Sequence, residues 1–157
     1  MKRIALYLAV TLAIHSLCYA DVTKLSTEDR KALENASRFH EAHAINDLPP
    51  AIVALCTGEN GKIADPGQKW NATDAIVDPT LPAKRLIWAR VGGDYYVVHY
   101  ERGGIAHTFH ILVATLIKND STPKLVWSVV GGPFKDYAAF LEALRSGKLD
   151  NRLGYAH

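Results

Sequence analysis

RLIWARV (85–91), YYVVHYER (95–102), IAHTFHILVATLI (105–117) and KLVWSVV (124–130) follow one another in one stretch. They are parted by Gly92-Gly93, Gly103-Gly104 and Asn119-Asp120-Ser121. β-Branched and aromatic side chains favour a pleated backbone, and paired glycines or Asn-Asp supply the conformations that tight turns need. The stretch therefore predicts a four-stranded antiparallel meander.

The flanks supply helices. Ser26 offers a cap to a segment with Glu28 and Asp29 in its first turn. Ala32, Ala36, Phe39 and Ala42 then recur every three or four residues, which predicts a helix from Thr27 to Ala44. Pro49-Pro50 starts a short apolar helix over Ala51–Leu55, ended by Thr57-Gly58. After Gly131-Gly132-Pro133, the residues Phe134, Tyr137, Leu141 and Leu144 mark one face of a last helix that stops near Gly147. Between them, 59–82 is punctuated by Asn60-Gly61, Asp65-Pro66-Gly67, Asp78-Pro79 and Leu81-Pro82, and reads as one long loop. The expected class is α+β: a four-stranded antiparallel meander packed on one face by an N-terminal and a C-terminal helix, in a single domain over 21–157 with no internal repeat.

Residues 1–20 have the grammar of a secretory signal peptide. Lys2 and Arg3 precede the apolar run Ile4–Ile14, and small residues lead to Ala20. The run is too short to span a bilayer. Cleavage before Asp21 would place the working chain in the periplasm or outside the cell. It would also remove two of the 18 Lys and Arg, leaving 16 against 16 Asp and Glu. Such a balanced chain has no broad electrostatic attraction to nucleic acid or an anionic membrane, so neither is expected as a partner. Of the two cysteines, Cys18 falls in the leader, so Cys56 stands alone and no internal disulfide forms.

With both glycine pairs closing two-residue turns, Arg102 faces Ile105, Tyr100 faces His107 and Val98 faces Phe109. One sheet face then carries Ile87, Ala89, Tyr96, Val98, Tyr100, Ile105, His107, Phe109, Ile111 and Val113, the expected core. The other carries Trp88, Arg90, Tyr95, Val97, His99, Glu101, Thr108, His110 and Leu112. Open surfaces rich in Trp, Tyr and Arg suit protein recognition. The expected function is accordingly an exported periplasmic binding module, of the inhibitor or immunity type, that blocks an envelope-acting partner enzyme. Its binding residues are Trp88, Arg90, Tyr95, His99, Glu101 and His110.

The alternative is a small metal-binding protein or hydrolase, because His99, Glu101 and His110 on one face supply two imidazoles and a carboxylate of the kind that hold zinc. Further readings pair Cys56 with His107 as nucleophile and base, or set a pocket between sheet and helices lined by Tyr96, Tyr100 and Phe109. Asn71-Ala72-Thr73 has the glycosylation acceptor pattern. Gly131-Gly132-Pro133 lacks the Lys and Ser or Thr of a phosphate loop, so it reads as a turn and no cofactor is expected. An exposed strand edge at Arg85–Val91 or Lys124–Val130 would give a second copy a place to pair.

Overall fold

The computed structural model describes residues 24–58, 61–75, 78–118 and 120–150; the leader-like segment 1–20 lies outside them. Among the described residues no helix is long and apolar enough to cross a membrane. The α+β class and the antiparallel meander are as the sequence predicts, but the sheet has five strands rather than four.

The extra strand comes from the segment read as the second half of the first helix. Helix α1 covers only Thr27–Glu34, with the Ser26 hydroxyl accepting from the Asp29 amide at 3.0 Å. Asn35 leaves helical geometry, a 3-10 turn follows at Ala36–Arg38, and β1 (His40–Ala42) then lies antiparallel to the next strand. The spacing of Ala36, Phe39 and Ala42 is therefore not one helical stripe. Phe39 and Ala42 bury in two different clusters.

Helix α2 (Pro50–Thr57) starts on its prolines and ends at Gly58, whose φ of 75° is the left-handed conformation glycine tolerates. Helix α3 (Tyr137–Arg145) is capped by Asp136, whose carboxylate accepts from the Ala139 amide at 2.8 Å. Between them run β2 (Lys84–Gly92), β3 (Tyr95–Arg102), β4 (Thr108–Thr115) and β5 (Lys124–Gly131), in sheet order β1-β2-β3-β4-β5.

Register decides everything that follows. The first turn has two residues, as the sequence predicts, but they are Gly93-Asp94 rather than the glycine pair Gly92-Gly93. Gly92 pairs with Tyr95 and Ala89 with Val98, an even slip of two that keeps the faces, and a bulge at Ile87 leaves Leu86 opposite Tyr100 and Trp88 opposite His99. The next connection does not close on two residues. Arg102 pairs with Thr108, not Ile105, so five residues, 103–107, make the loop. That is a slip of three positions. Because side chains alternate, an odd slip moves every β4 residue to the other face.

The sheet is consequently covered on both sides. Trp88, Val97, Ile111, Val113, Trp127 and Val129 cluster with Leu33 of α1 and Phe140, Leu141 and Leu144 of α3. Ala89, Val98, Tyr100, Leu112 and Ala114 cluster with Ile52 and Cys56 of α2. The terminal helices do share one face, but it is the face expected to be open, and α2 occupies the face expected to be the core. Each large side chain buried here contributes about 1.5–3 kcal/mol, so two filled layers leave no face of the central strands in water. The outer edge of β2 is also occupied. β1 pairs with Ala89, Arg90 and Val91, while Ala64 bridges Arg85 by accepting from the Leu86 amide and donating to Lys84, both at 2.9 Å. This corrects the expectation of an exposed edge at Arg85–Val91; β5 remains an outer strand.

Candidate functional site

The residues expected to form an open binding face are mostly interior. Trp88 is 6% exposed, donates its indole N–H to the Phe134 carbonyl at 2.8 Å and packs against Tyr137 and Phe140. His99 is fully buried. Its Nδ1–H donates to the His110 carbonyl at 2.9 Å and its Nε2 accepts from the Phe134 amide at 3.2 Å. These partners select the neutral tautomer, and burial pushes its pKa down to about 4. Arg90 pairs with Glu41 at 3.1 Å and lies over the Tyr137 ring. Tyr95 donates to Asp29 of α1 at 2.5 Å beneath the Arg38 guanidinium, and its phenol is pushed up to about 12, chiefly by that hydrogen bond. Arg90 and Tyr95 are half-buried links between elements, not parts of an open patch.

The metal arrangement fails on the same register. His110 stacks on Tyr100, rings 4.9 Å apart and 7° from parallel, on the α2 side, with its Nε2 2.8 Å from the Thr108 hydroxyl. His99 faces the α3 side, 5.1 Å from the Trp88 ring. Two imidazoles on opposite faces of one sheet cannot share an ion, and among the described residues no group of three His, Cys, Asp or Glu is placed to hold one. Tyr96 and Tyr100 are likewise separated by the sheet from Phe109, so the pocket they were to line does not form.

Cys56 belongs to the α2 layer at 1% exposure, and burial pushes its thiol up to about 12. Lys84 donates to its backbone carbonyl, not to its sulfur. A thiol in that state is a packing group. His107 bonds elsewhere, so the Cys56–His107 pair does not form. The Asn71 side chain is also committed: its amide donates to the Asp78 and Leu81 carbonyls at 2.8 and 3.1 Å, tying off the loop rather than presenting an acceptor nitrogen to solvent.

What the fold assembles is a cluster at the end of the sheet where β2 begins and β3 ends. Register places Arg85 opposite Glu101. Glu101, its side chain 7% exposed, accepts on Oε1 from Arg85 Nε at 2.7 Å and Nη2 at 2.6 Å, and on Oε2 from His107 Nε2 at 2.7 Å. The Arg85 guanidinium lies 5.1 Å over the Trp70 ring, and the His107 ring meets Trp70 edge-on at 5.4 Å and Phe109 at 4.8 Å. Paired planar donors and stacking on indole are what a guanidinium does best.

The 103–107 loop is seated against the long loop. The Gly103 amide donates to the Ala83 carbonyl at 2.9 Å, and a Cβ on Gly103 would sit 2.1 Å from the Asn71 carbonyl oxygen, so only glycine permits the approach. Gly104 bridges Thr73 with φ 132°. From this anchored base Ile105 projects at 94% exposure, while the His107 side chain is 43% exposed. Both had been expected in the core opposite Arg102 and Tyr100.

Chemically, Glu101 is spent: three N–H groups occupy its two oxygens, so it is a structural anchor and not a free acid or base. His107 has its Nε2 directed inward and the rest of its ring at the surface. Sequence reasoning named Glu101 and His107 in other roles and missed Trp70, Arg85 and Ile105. One signal was present. Ile105 is followed by Ala106 and His107 before β-branched density resumes, so GGIAH reads equally well as a five-residue loop. Compared with known proteins, the chain matches no family model, no curated protein and no solved structure.

Proposed function

We propose that this chain is an exported binding module that engages and blocks an enzyme of the cell envelope, with the end of the sheet around Ile105 as its contact surface. The observation that carries the reading is Ile105 itself, a large apolar side chain 94% exposed on a loop braced at both ends. A lone exposed aliphatic is ordinary; one held on a rigid base beside Trp70, Arg85 and His107 has the composition of an interface anchor, and little ordering entropy is lost when it docks. The leader-like residues 1–20 support the address. The contact residues are thus moved from the sheet face to its loop end.

The test has two arms. N-terminal analysis of the protein recovered from the envelope is expected to begin at Asp21. Partner captured from an envelope extract is identified, purified and recombined with the chain; its activity falls in proportion to complex formed, and Ile105→Asp weakens the complex by about tenfold or more. Undiminished binding by that variant overturns the assignment of the contact surface.

A further inference from the structure

Glu101 is an almost fully buried carboxylate shared by two cation-forming side chains, one of which closes the loop that carries Ile105. We infer that Arg85, Glu101 and His107 form a clasp that presets the 103–107 tip, and that protonation of His107 tightens it. The inference deepens the reading of this tip as the contact surface, and rests on it for its purpose.

Arg85 comes from β2, is permanently charged, and engages only Oε1. That leaves Oε2 as the single point at which the carboxylate holds the loop, through the imidazole N–H of His107. With His107 neutral, this is a hydrogen bond from an uncharged donor. With His107 protonated, both ends are charged, and such bonds are about twice as strong. Glu101 is shielded at 7% exposure, while the His107 side chain is 43% exposed, so water screens part of the difference and leaves the rest.

The other groups around the pair do not reverse the sign. His99, coupled to Glu101 from the same strand, stays neutral above pH 4 or so because burial holds it so. The 59–82 loop presents the Trp70 ring, which packs against both the Arg85 guanidinium and the His107 imidazole. From β4, Phe109 contributes an apolar ring. The contact is local: one carboxylate oxygen and one imidazole nitrogen at the β4 end of a five-residue loop.

His107 here is a positioning residue, acting on Ile105 through the loop, and a fixed structural role would not respond to pH. The test is amide hydrogen exchange across 103–107 in the purified protein at pH 8 and pH 5.5, the range over which imidazoles commonly titrate, with intrinsic rates corrected. The expected result is about fivefold greater protection at pH 5.5. His107→Gln, which retains a donor near the Nε2 position but cannot charge, is expected to keep the tip ordered while abolishing the pH response. Equal protection of the native tip at the two pH values, or an undiminished pH response in His107→Gln, overturns the inference. Because the measurement is made on the free chain, its failure is distinct from a failure of partner binding at Ile105.

Discussion

His99 and His110 sit on adjacent strands and are hydrogen-bonded to each other, yet their imidazoles lie on opposite faces of the sheet. The His99 Nδ1–H reaches the backbone carbonyl of His110 at 2.9 Å, while the His110 ring stacks on Tyr100 on the far side. This arrangement removes a metal site and replaces it with a buried neutral histidine whose two nitrogens are both satisfied.

That histidine makes stability depend on pH. Its pKa is about 4 when folded, against an ordinary value of 6.5. Above pH 6.5 neither state binds this proton and the His99 contribution to stability is flat. Between 6.5 and 4 the unfolded chain takes up a proton that the folded one refuses, so stability falls as pH falls, by about 3 kcal/mol in all, and levels off below pH 4. Urea midpoints at pH 7 and pH 4.5 measure the loss, and His99→Gln is expected to start from lower stability with a flatter dependence over this range.

Trp88 supports the fold rather than the surface. Trp88→Ala opens a cavity against Tyr137 and Phe140 and strands the Phe134 carbonyl, at a cost of about 3–5 kcal/mol. Ile105→Asp, on an exposed side chain, stays within about 0.5 kcal/mol of the native protein. Thermal melts of the two variants side by side check the contrast.

Gly103 sits where a Cβ would collide with the Asn71 carbonyl oxygen. Gly103→Ala is expected to cost about 2–3 kcal/mol and to raise hydrogen exchange in both 103–107 and 71–75. Gly132→Ala, with nothing within 4 Å of the added methyl, is the control and stays near native stability.

Cys56 is chemically silent while the fold is intact. With the thiol pushed up to about 12 and almost no exposed area, alkylation by iodoacetamide at pH 7.5 proceeds about 1000-fold slower than for a free cysteine, and becomes complete in guanidinium. Mass spectrometry of the native and denatured protein reads both states.

The four long strands, a two-residue turn near Gly92-Gly93, the proline-started α2 and the apolar face of α3 were legible because each is written in local chemistry: β-branched runs, paired glycines, a fixed proline φ and helical spacing. The exact turn, Gly93-Asp94, and the Asp136 cap, which starts α3 after Phe134, were not read. The two-sided burial also left a trace. Val97-Val98 and Ile111 to Ala114 are continuous apolar runs, and such runs belong to strands covered on both faces. What misled was treating the mixed residues between them as a solvent face, when Trp88, His99 and His110 each find a specific partner inside.

By itself the sequence determined the four long strands, the starts of α1 and α2, their order and the α+β class, because those depend on side-chain preferences within a few residues. It did not determine where Phe39, His40 and Ala42 go, since an eight-residue helix followed by a three-residue edge strand shares its spacing with one long helix. Nor did it determine which face of β4 meets which helix. Alternation is unchanged by a shift of register, so the parity of the 103–107 loop had to be settled elsewhere. It was settled by tertiary contact: Gly103 seated against Asn71, Gly104 on Thr73 and His107 on Glu101 make five residues the length that closes, and from that parity follow the separation of His99 from His110 and the exposure of Ile105.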